Sequence, residues 1–253
     1  MGLEETVTEA FTGLQPEYAV RRRKWVVFLS SRIAAWHTLF FNRKLSIEGK
    51  TEEVRQVLRA GNYAIAAKHR HNFDPINVYR AIHYDTPEPP WPFAKKEFYE
   101  LRGLLRIQSW WYRNIGTIPI DRPEKDGTNK TDIALNTAAI QRAQQLLLDG
   151  KSVAFFPEGH RYPVEMGRCY PFIPGALQQL YVEHRLDIPV LTVGSIYENP
   201  DKPFKGVSVI RFGPVLRPSQ FVEGKSPARD AVRFTYKIRE SLAEASGFNK
   251  TPA

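Results

Sequence analysis

The sequence predicts an α/β fold, a twisted, largely parallel sheet flanked by helices and preceded by an N-terminal amphipathic helical segment. Three observations lead there. From Leu45 onward, short apolar runs of strand length alternate with longer stretches of helical periodicity. The junctions between them are punctuated by Gly, Pro, Asn and Asp. Apolar residues make up 42% and charged residues 25% of the 253-residue chain, the balance of an ordinary folded protein with one sizeable core.

The N-terminal segment comes first. Glu4, Glu5 and Glu9 occupy the place of a basic n-region, so no secretory signal is expected. "MGLEET" loosely echoes a myristoylation signal with Thr6 at the hydroxyl position, but the acidic pair argues against it. A basic cluster, Arg21 to Lys24, then leads into an apolar stretch from Trp25 to Phe41 that Arg32 and His37 interrupt. That stretch is shorter than the roughly 20 apolar residues of a spanning helix. Trp25, Leu29, Ile33, Trp36 and Phe40 share a face at helical spacing. A basic flank with a Trp/Phe/Leu face predicts a membrane-associating helix lying in the lipid interface, each basic residue adding about 1 kcal/mol near an anionic leaflet. The alternative is a helix packed on the domain with a solvated basic end.

Seven strands are expected after it: "LSIEG" (45–49), "NYAIAAK" (62–68), "WPFAKK" (91–96), "GTIPI" (116–120), "SVAFF" (152–156), "IPVLTVGS" (188–195) and "GVSVIRF" (206–212). "TDIALNTAAIQRAQQLLLDG" reads as a helix with Thr131 as N-cap and Gly150 as its stop. "GALQQLYVEHRL" is a second helix, and the stretch from Ser226 to Gly247 a third, with Ser226 as cap and Pro227 first in the helix. "DRPEKDGTNK" is the one linker-like stretch, and no internal repeat is seen.

The single cysteine, Cys169, excludes an internal disulfide and points to a reducing compartment. A net charge of +9 predicts anionic partners, among nucleic acid, a membrane surface and phosphorylated substrates. The basic residues are interspersed with acids and no nucleic-acid-binding motif is evident, so a nucleic-acid partner is not expected.

The chemistry-bearing residues gather after strands. "HRHNFD" (69–74) sets His69, His71 and Asp74 close together. They can be read as ligands of a metal-dependent hydrolase, with His160 as a further candidate ligand, or as a His69–Asp74 pair whose carboxylate fixes the imidazole tautomer and leaves Nε2 as a base. "FFPEGHR" (155–161) carries Glu158, Gly159, His160 and Arg161 into a turn, "GTIPIDR" ends on Arg122, and "FAKKEF" carries Lys95 and Lys96. Each is ordinarily a solvated loop charge. Together they place a base and several cations past strand ends, where α/β sheets bind ligands, and predict a pocket for a phosphorylated substrate.

The order H-x4-D, "AKKEF", "GTIPIDR", "FPEGHR", "IPVLTV" resembles the glycerolipid acyltransferase family, which contains lysophosphatidic acid and glycerol-3-phosphate acyltransferases. The likeness runs from Leu45 to Pro218, and the family commonly carries an N-terminal membrane-associated helical segment, matching residues 17–42. The resemblance implies an interfacial tail over residues 1–44 and an acyltransferase domain over 45–253. It implies His69 as general base with Asp74 orienting it, Glu158 and Gly159 holding the glycerol end of the acceptor, and Arg122, Arg161 and Lys95 holding its phosphate, with Lys96 as the alternative lysine. It implies transfer of a fatty acyl group from acyl-CoA or acyl carrier protein to a lysophospholipid or glycerophosphate acceptor, 1-acylglycerol 3-phosphate foremost, giving phosphatidic acid. No metal and no further cofactor are expected, and the protein is placed peripherally on the cytoplasmic face of a membrane. This sequence departs from the family at Lys68 (usually Asn), His71 (usually Ser), His160 (usually Thr) and Thr192 (usually Pro). A catalytically inactive membrane-binding relative, with Lys68 and His71 as its lesions, is the remaining alternative.

Overall fold

The computed structural model describes residues 22–30, 32, 45–72, 74–101, 103–122, 131–162, 165–197, 208–223 and 226–248. Each of the seven expected strands forms: β1 (Leu45–Glu48), β2 (Ala64–Ala67), β3 (Trp91–Lys95), β4 (Ile118–Ile120), β5 (Val153–Phe155), β6 (Val190–Tyr197) and β7 (Ser208–Leu216). They make one sheet in the order β1-β7-β6-β2-β5-β3-β4. All neighbours are parallel except β6 and β7, so β1 and β7 run against the other five.

Both faces of the sheet are covered, which is why central strands read as unbroken apolar runs. β2 is buried at every position. Its Ala64 and Ala66 face one core cluster, with Ala139, Ala143, Leu177, Phe234 and Ile238 of the helices α5 (Ile133–Leu148), α6 (Phe172–His184) and α7 (Pro227–Ala245). Its Ile65 and Ala67 face a second, with Val54, Leu58, Val78 and Ile82 of α2 (Glu52–Ala60) and α3 (Asp74–Ile82). α7 lies so close to β6 that a Cβ on Gly194 would come within 2.4 Å of the Ala245 backbone. On the same contact Thr192 and Ser241 share a buried hydrogen bond at 2.6 Å, so Thr192 ties the central strand to α7.

Three details differ from the expectations. Asp132, not Thr131, caps α5, its carboxylate accepting the Leu135 N–H at 2.9 Å. α6 starts at Phe172, with Pro174 tolerated in its first turn where no intrahelical N–H is required. α2, α3 and α4 (Arg106–Ile115) are helices of nine or ten residues that the sequence reading left unassigned.

Residues 24–30 form a helix, α1, joined to the domain by a bridge between Arg22 and Ile115 and by the Arg23 N–H on the Asn114 carbonyl at 3.0 Å. Val26 is fully buried, whereas Trp25, Phe28 and Leu29 are exposed. The Trp25 ring lies 5.8 Å from that of Trp110 on α4. The helix is therefore packed along one side and apolar on its outer side. Ile33, Trp36 and Phe40 of the expected face lie outside the described residues. No helix among the described residues is long and apolar enough to cross a membrane.

Candidate active site

The site sits where β2 ends. β2 stops at Ala67, His69 follows two residues later, and Asp74 is the first residue of α3. Pro75, needing no N–H bond, suits that first turn. The Asp74 carboxylate is fully buried at a helix N-terminus, where the helix dipole favours negative charge. Its Oδ2 accepts the Arg70 N–H at 2.6 Å and the His71 N–H at 2.5 Å, and its Oδ1 accepts the Tyr197 hydroxyl at 2.5 Å. The fourth partner is His69, with Nδ1 3.3 Å from Oδ2. Burial, with the adjacent Asp74 carboxylate, pushes the Tyr197 phenol well above its ordinary value, so it is the donor in that pair. The imidazole is pinned on its other side by Phe156, whose ring stacks at 4.3 Å. With Nδ1–H given to Asp74, the Nε2 of His69 is the nitrogen left to accept a proton.

His69 forms part of the wall of a cavity of about 290 Å³ that Lys95, Arg122, Gly159 and Arg161 also line. Of the predicted site residues, these five share one space and Asp74 stands behind His69. The remaining wall is largely apolar, with Phe93, Phe98, Ile115, Ile120 and Phe155 among its side chains. Gly159 takes a left-handed φ of 65° in the turn after β5, and its carbonyl accepts from the Arg122 guanidinium. Arg122 lies below the usual guanidinium range because it is buried; Glu97 opposes the shift and Arg161 adds to it by repulsion. Arg161 reaches Asn72 Oδ1 at 2.7 Å. Lys95 pairs with Glu97. Lys96, the alternative lysine, is not on the cavity and pairs with Asp121 at 3.1 Å.

Glu158 departs from its expected place. It is fully buried and absent from the cavity wall. Lys68 Nζ lies 2.7 and 2.9 Å from its two oxygens, and the Gly167 N–H donates to it at 2.6 Å. Lys68 also donates to the Tyr162 carbonyl at 2.9 Å, while the Tyr162 N–H reaches the His69 carbonyl at 2.9 Å. Burial pushes Glu158 up and Lys68 down, each opposed by the other's charge. The Lys68 departure thus meets its counter-charge in the motif glutamate, and the pair fastens the loop after β5 to the end of β2.

His71 does not complete a metal centre with His69 and Asp74. Among the described residues no three His, Cys, Asp or Glu side chains gather to hold a metal ion. His71 instead sits beside Tyr197, ring centroids 6.0 Å apart, and burial lowers its basicity. Tyr197 and Asn72 were missed in the sequence. Tyr197 lies 123 residues from its partner, so no local spacing could signal it.

The sequence profile of the acyltransferase family matches residues 50–196, which include His69, Asp74 and every residue of the cavity wall but stop one short of Tyr197. Among solved structures, the chain is similar to the crystal structure of the 1-acyl-sn-glycerophosphate (LPA) acyltransferase PlsC from Thermotoga maritima. Identity there is 18%, the match covers 86% of this chain and 78% of that one, and the TM-score is 0.47. No curated protein matches the chain.

Proposed function

This chain belongs to the acyltransferase family, and from that premise we propose that it is a peripheral-membrane O-acyltransferase using His69 and Asp74 as its general-base pair. The donor is an acyl thioester of CoA or acyl carrier protein. The acceptor is a glycerophosphate, foremost 1-acylglycerol 3-phosphate, and the product then is phosphatidic acid.

One observation carries the reading: a histidine oriented by a buried carboxylate shares a largely apolar cavity with three cations, Lys95, Arg122 and Arg161. A hydroxyl is a poor nucleophile at neutral pH and needs a base within hydrogen-bond reach. The cations bind the acceptor phosphate, and that binding holds the hydroxyl near His69, replacing an improbable encounter by a positioned one. His69 Nε2 takes the hydroxyl proton as the oxygen attacks the thioester carbonyl. Asp74 stabilises the imidazolium so formed. The tetrahedral oxyanion collapses, the C–S bond breaks, and the thiolate leaves with the proton returned by His69. The apolar wall suits the fatty acyl chain. The thioester is already activated, so the scheme calls for no metal and no cofactor.

On this reading residues 1–44 attach the catalytic domain, residues 45–253, to a lipid surface on the cytoplasmic face. The exposed Trp25, Phe28 and Leu29 of α1 and Ile107 and Trp110 of α4 supply apolar contacts. The test is release of free thiol from a long-chain acyl-CoA in detergent micelles, comparing lysophosphatidic acid, glycerol 3-phosphate and no acceptor. Release that depends on a phosphorylated acceptor supports the proposal. Release indifferent to acceptor would make the protein a thioesterase instead.

A further inference from the structure

The end of α7 reaches the back of the active site. Ser246 closes the helix, and Gly247 after it takes a left-handed φ of 73°, a conformation that favours glycine. The Gly247 N–H donates to the Glu244 carbonyl at 3.1 Å and the Phe248 N–H to the Ala243 carbonyl at 2.9 Å, the paired bonds of a Schellman turn. Gly194, with no room for a Cβ against Ala245 and Ser246, lets that turn lie directly on β6. Turn and contact together fix where the Phe248 side chain falls.

It falls on two cations. The ring centroid lies 5.5 Å from Lys68 Nζ and 4.9 Å from the guanidinium carbon of Arg70. These two residues flank His69 in the chain, and neither lines the cavity that His69 lines. Both are buried, Lys68 fully. Burial lowers each below its ordinary range, opposed by Glu158 at Lys68 and by Asp74 at Arg70. A buried cation is costly unless partnered, and the negative face of an aromatic ring supplies part of a partner while keeping water away.

Each cation is also tied to the proposed base. Lys68 holds Glu158, whose Oε2 accepts the His69 N–H at 3.4 Å. Lys68 holds the Tyr162 carbonyl as well, and the Tyr162 N–H donates to the His69 carbonyl at 2.9 Å. The Arg70 guanidinium donates to the Ser195 carbonyl of β6 at 3.1 Å, and the Arg70 N–H donates to Asp74 Oδ2 at 2.6 Å. Phe248 lies beyond residues 50–196, the stretch that the family profile matches, so the family likeness places no aromatic there.

We infer that Phe248 is a positioning residue for the general base. Its ring clamps Lys68 and Arg70, and through them fixes the backbone on either side of His69 and the carboxylate that orients the imidazole. The inference rests on the reading of His69 as the base; Phe248 itself is absent from the cavity wall.

The experiment compares wild type, Phe248→Leu, Phe248→Tyr and His69→Ala in acceptor-dependent thiol release from acyl-CoA, with native-state amide exchange followed on each protein. Phe248→Leu keeps an apolar side chain at the turn and removes the π face. It should lower kcat about tenfold or more, the scale of a small misplacement of a catalytic group, and leave KM for both substrates unchanged. Phe248→Tyr, which keeps the ring, should restore kcat. In Phe248→Leu exchange should quicken at the Arg70 and His71 N–H groups that hold Asp74, and stay as in wild type at Ala66 within β2. Wild-type kcat in Phe248→Leu, equal losses of kcat in Phe248→Leu and Phe248→Tyr, or exchange quickened at Ala66 as much as at Arg70 each overturns the inference. The last would make Phe248 a packing residue only. Turnover that survives in His69→Ala refutes the base reading, whereas an inactive His69→Ala beside a fully active Phe248→Leu refutes this inference alone.

Discussion

Tyr197 donates its hydroxyl to Oδ1 of Asp74 at 2.5 Å, from the last residue of the central strand β6 to the first residue of α3. Asp74 thus presents one oxygen to the core and the other, Oδ2, to His69. Removing the phenol leaves Oδ1 without its donor, and only the Arg70 and His71 N–H groups on Oδ2 then orient the carboxylate toward the imidazole. A hydrogen bond to a charged group is worth about 1.5–3 kcal/mol, so Tyr197→Phe should lower kcat by about tenfold or more while KM for both substrates changes little. A purely structural tyrosine would instead lower the thermal midpoint with kcat intact, which would remove it from the site.

The Lys68–Glu158 pair gives a stability prediction. Lys68→Met leaves a fully buried carboxylate without its counter-ion, a loss of about 3–5 kcal/mol in systems of this kind. The sign with pH follows from burial, which pushes Glu158 up in the folded protein. Without Lys68 that rise is larger. The folded state then holds a proton that the unfolded state releases, so the mutant's stability is highest below the ordinary carboxyl range and is lost as pH rises through the folded value. Thermal melts should therefore show a deficit against wild type that is large at neutral pH and shrinks on acidification. A deficit that grows on acidification would contradict the account.

On the proposed reading the cations of the cavity make separable contributions to acceptor binding. Arg161→Gln should raise KM for 1-acylglycerol 3-phosphate by about tenfold or more and leave turnover of an unphosphorylated monoacylglycerol nearly unchanged. Lys95→Gln should do the same to a lesser degree, since Lys95 already pairs with Glu97. Equal losses with both acceptors would mean that these residues support the loop and not the phosphate.

The apolar outer side of α1 continues onto α4, and that makes membrane attachment testable without deletion. Removing residues 1–42 would also remove Val26 and Arg22, both buried against the domain. Trp25→Ser combined with Trp110→Ser keeps those contacts and removes two exposed aromatics. Burying such side chains contributes about 1.5–3 kcal/mol each, so sedimentation with anionic vesicles should show binding weakened by tenfold or more. Unchanged sedimentation would place the membrane contact elsewhere on the chain.

Much of this was legible in the sequence because it is local. The inner strands of a covered parallel sheet are continuous apolar runs and could be found from them, whereas the edge strand β1, exposed at three of its four positions, is not such a run. His69, Lys95, Arg122, Gly159 and Arg161 each follow or end a strand, so the topology delivers them to one edge of the sheet. α2, α3 and α4 were not seen because nine- or ten-residue helices offer little more than two turns of periodicity. Thr131 and Asp132 are both good caps, and only the backbone geometry decides between them. The site's deeper partners were hidden for another reason. Lys68 meets Glu158 across 90 residues and Tyr197 meets Asp74 across 123, and no spacing rule connects such pairs. The resemblance alone gives Glu158 a place at the substrate, and spacing gives no hint of the Lys68 charge that meets it inside the fold.

The central claim is that His69 is the base. Its most direct test is acceptor-dependent thiol release from acyl-CoA by wild type and His69→Ala, both checked for an unchanged thermal midpoint. General-base catalysis is worth roughly 10²–10⁴ in rate, and the account predicts a loss of that size at saturating lysophosphatidic acid. Release by His69→Ala within a few-fold of wild type would contradict it.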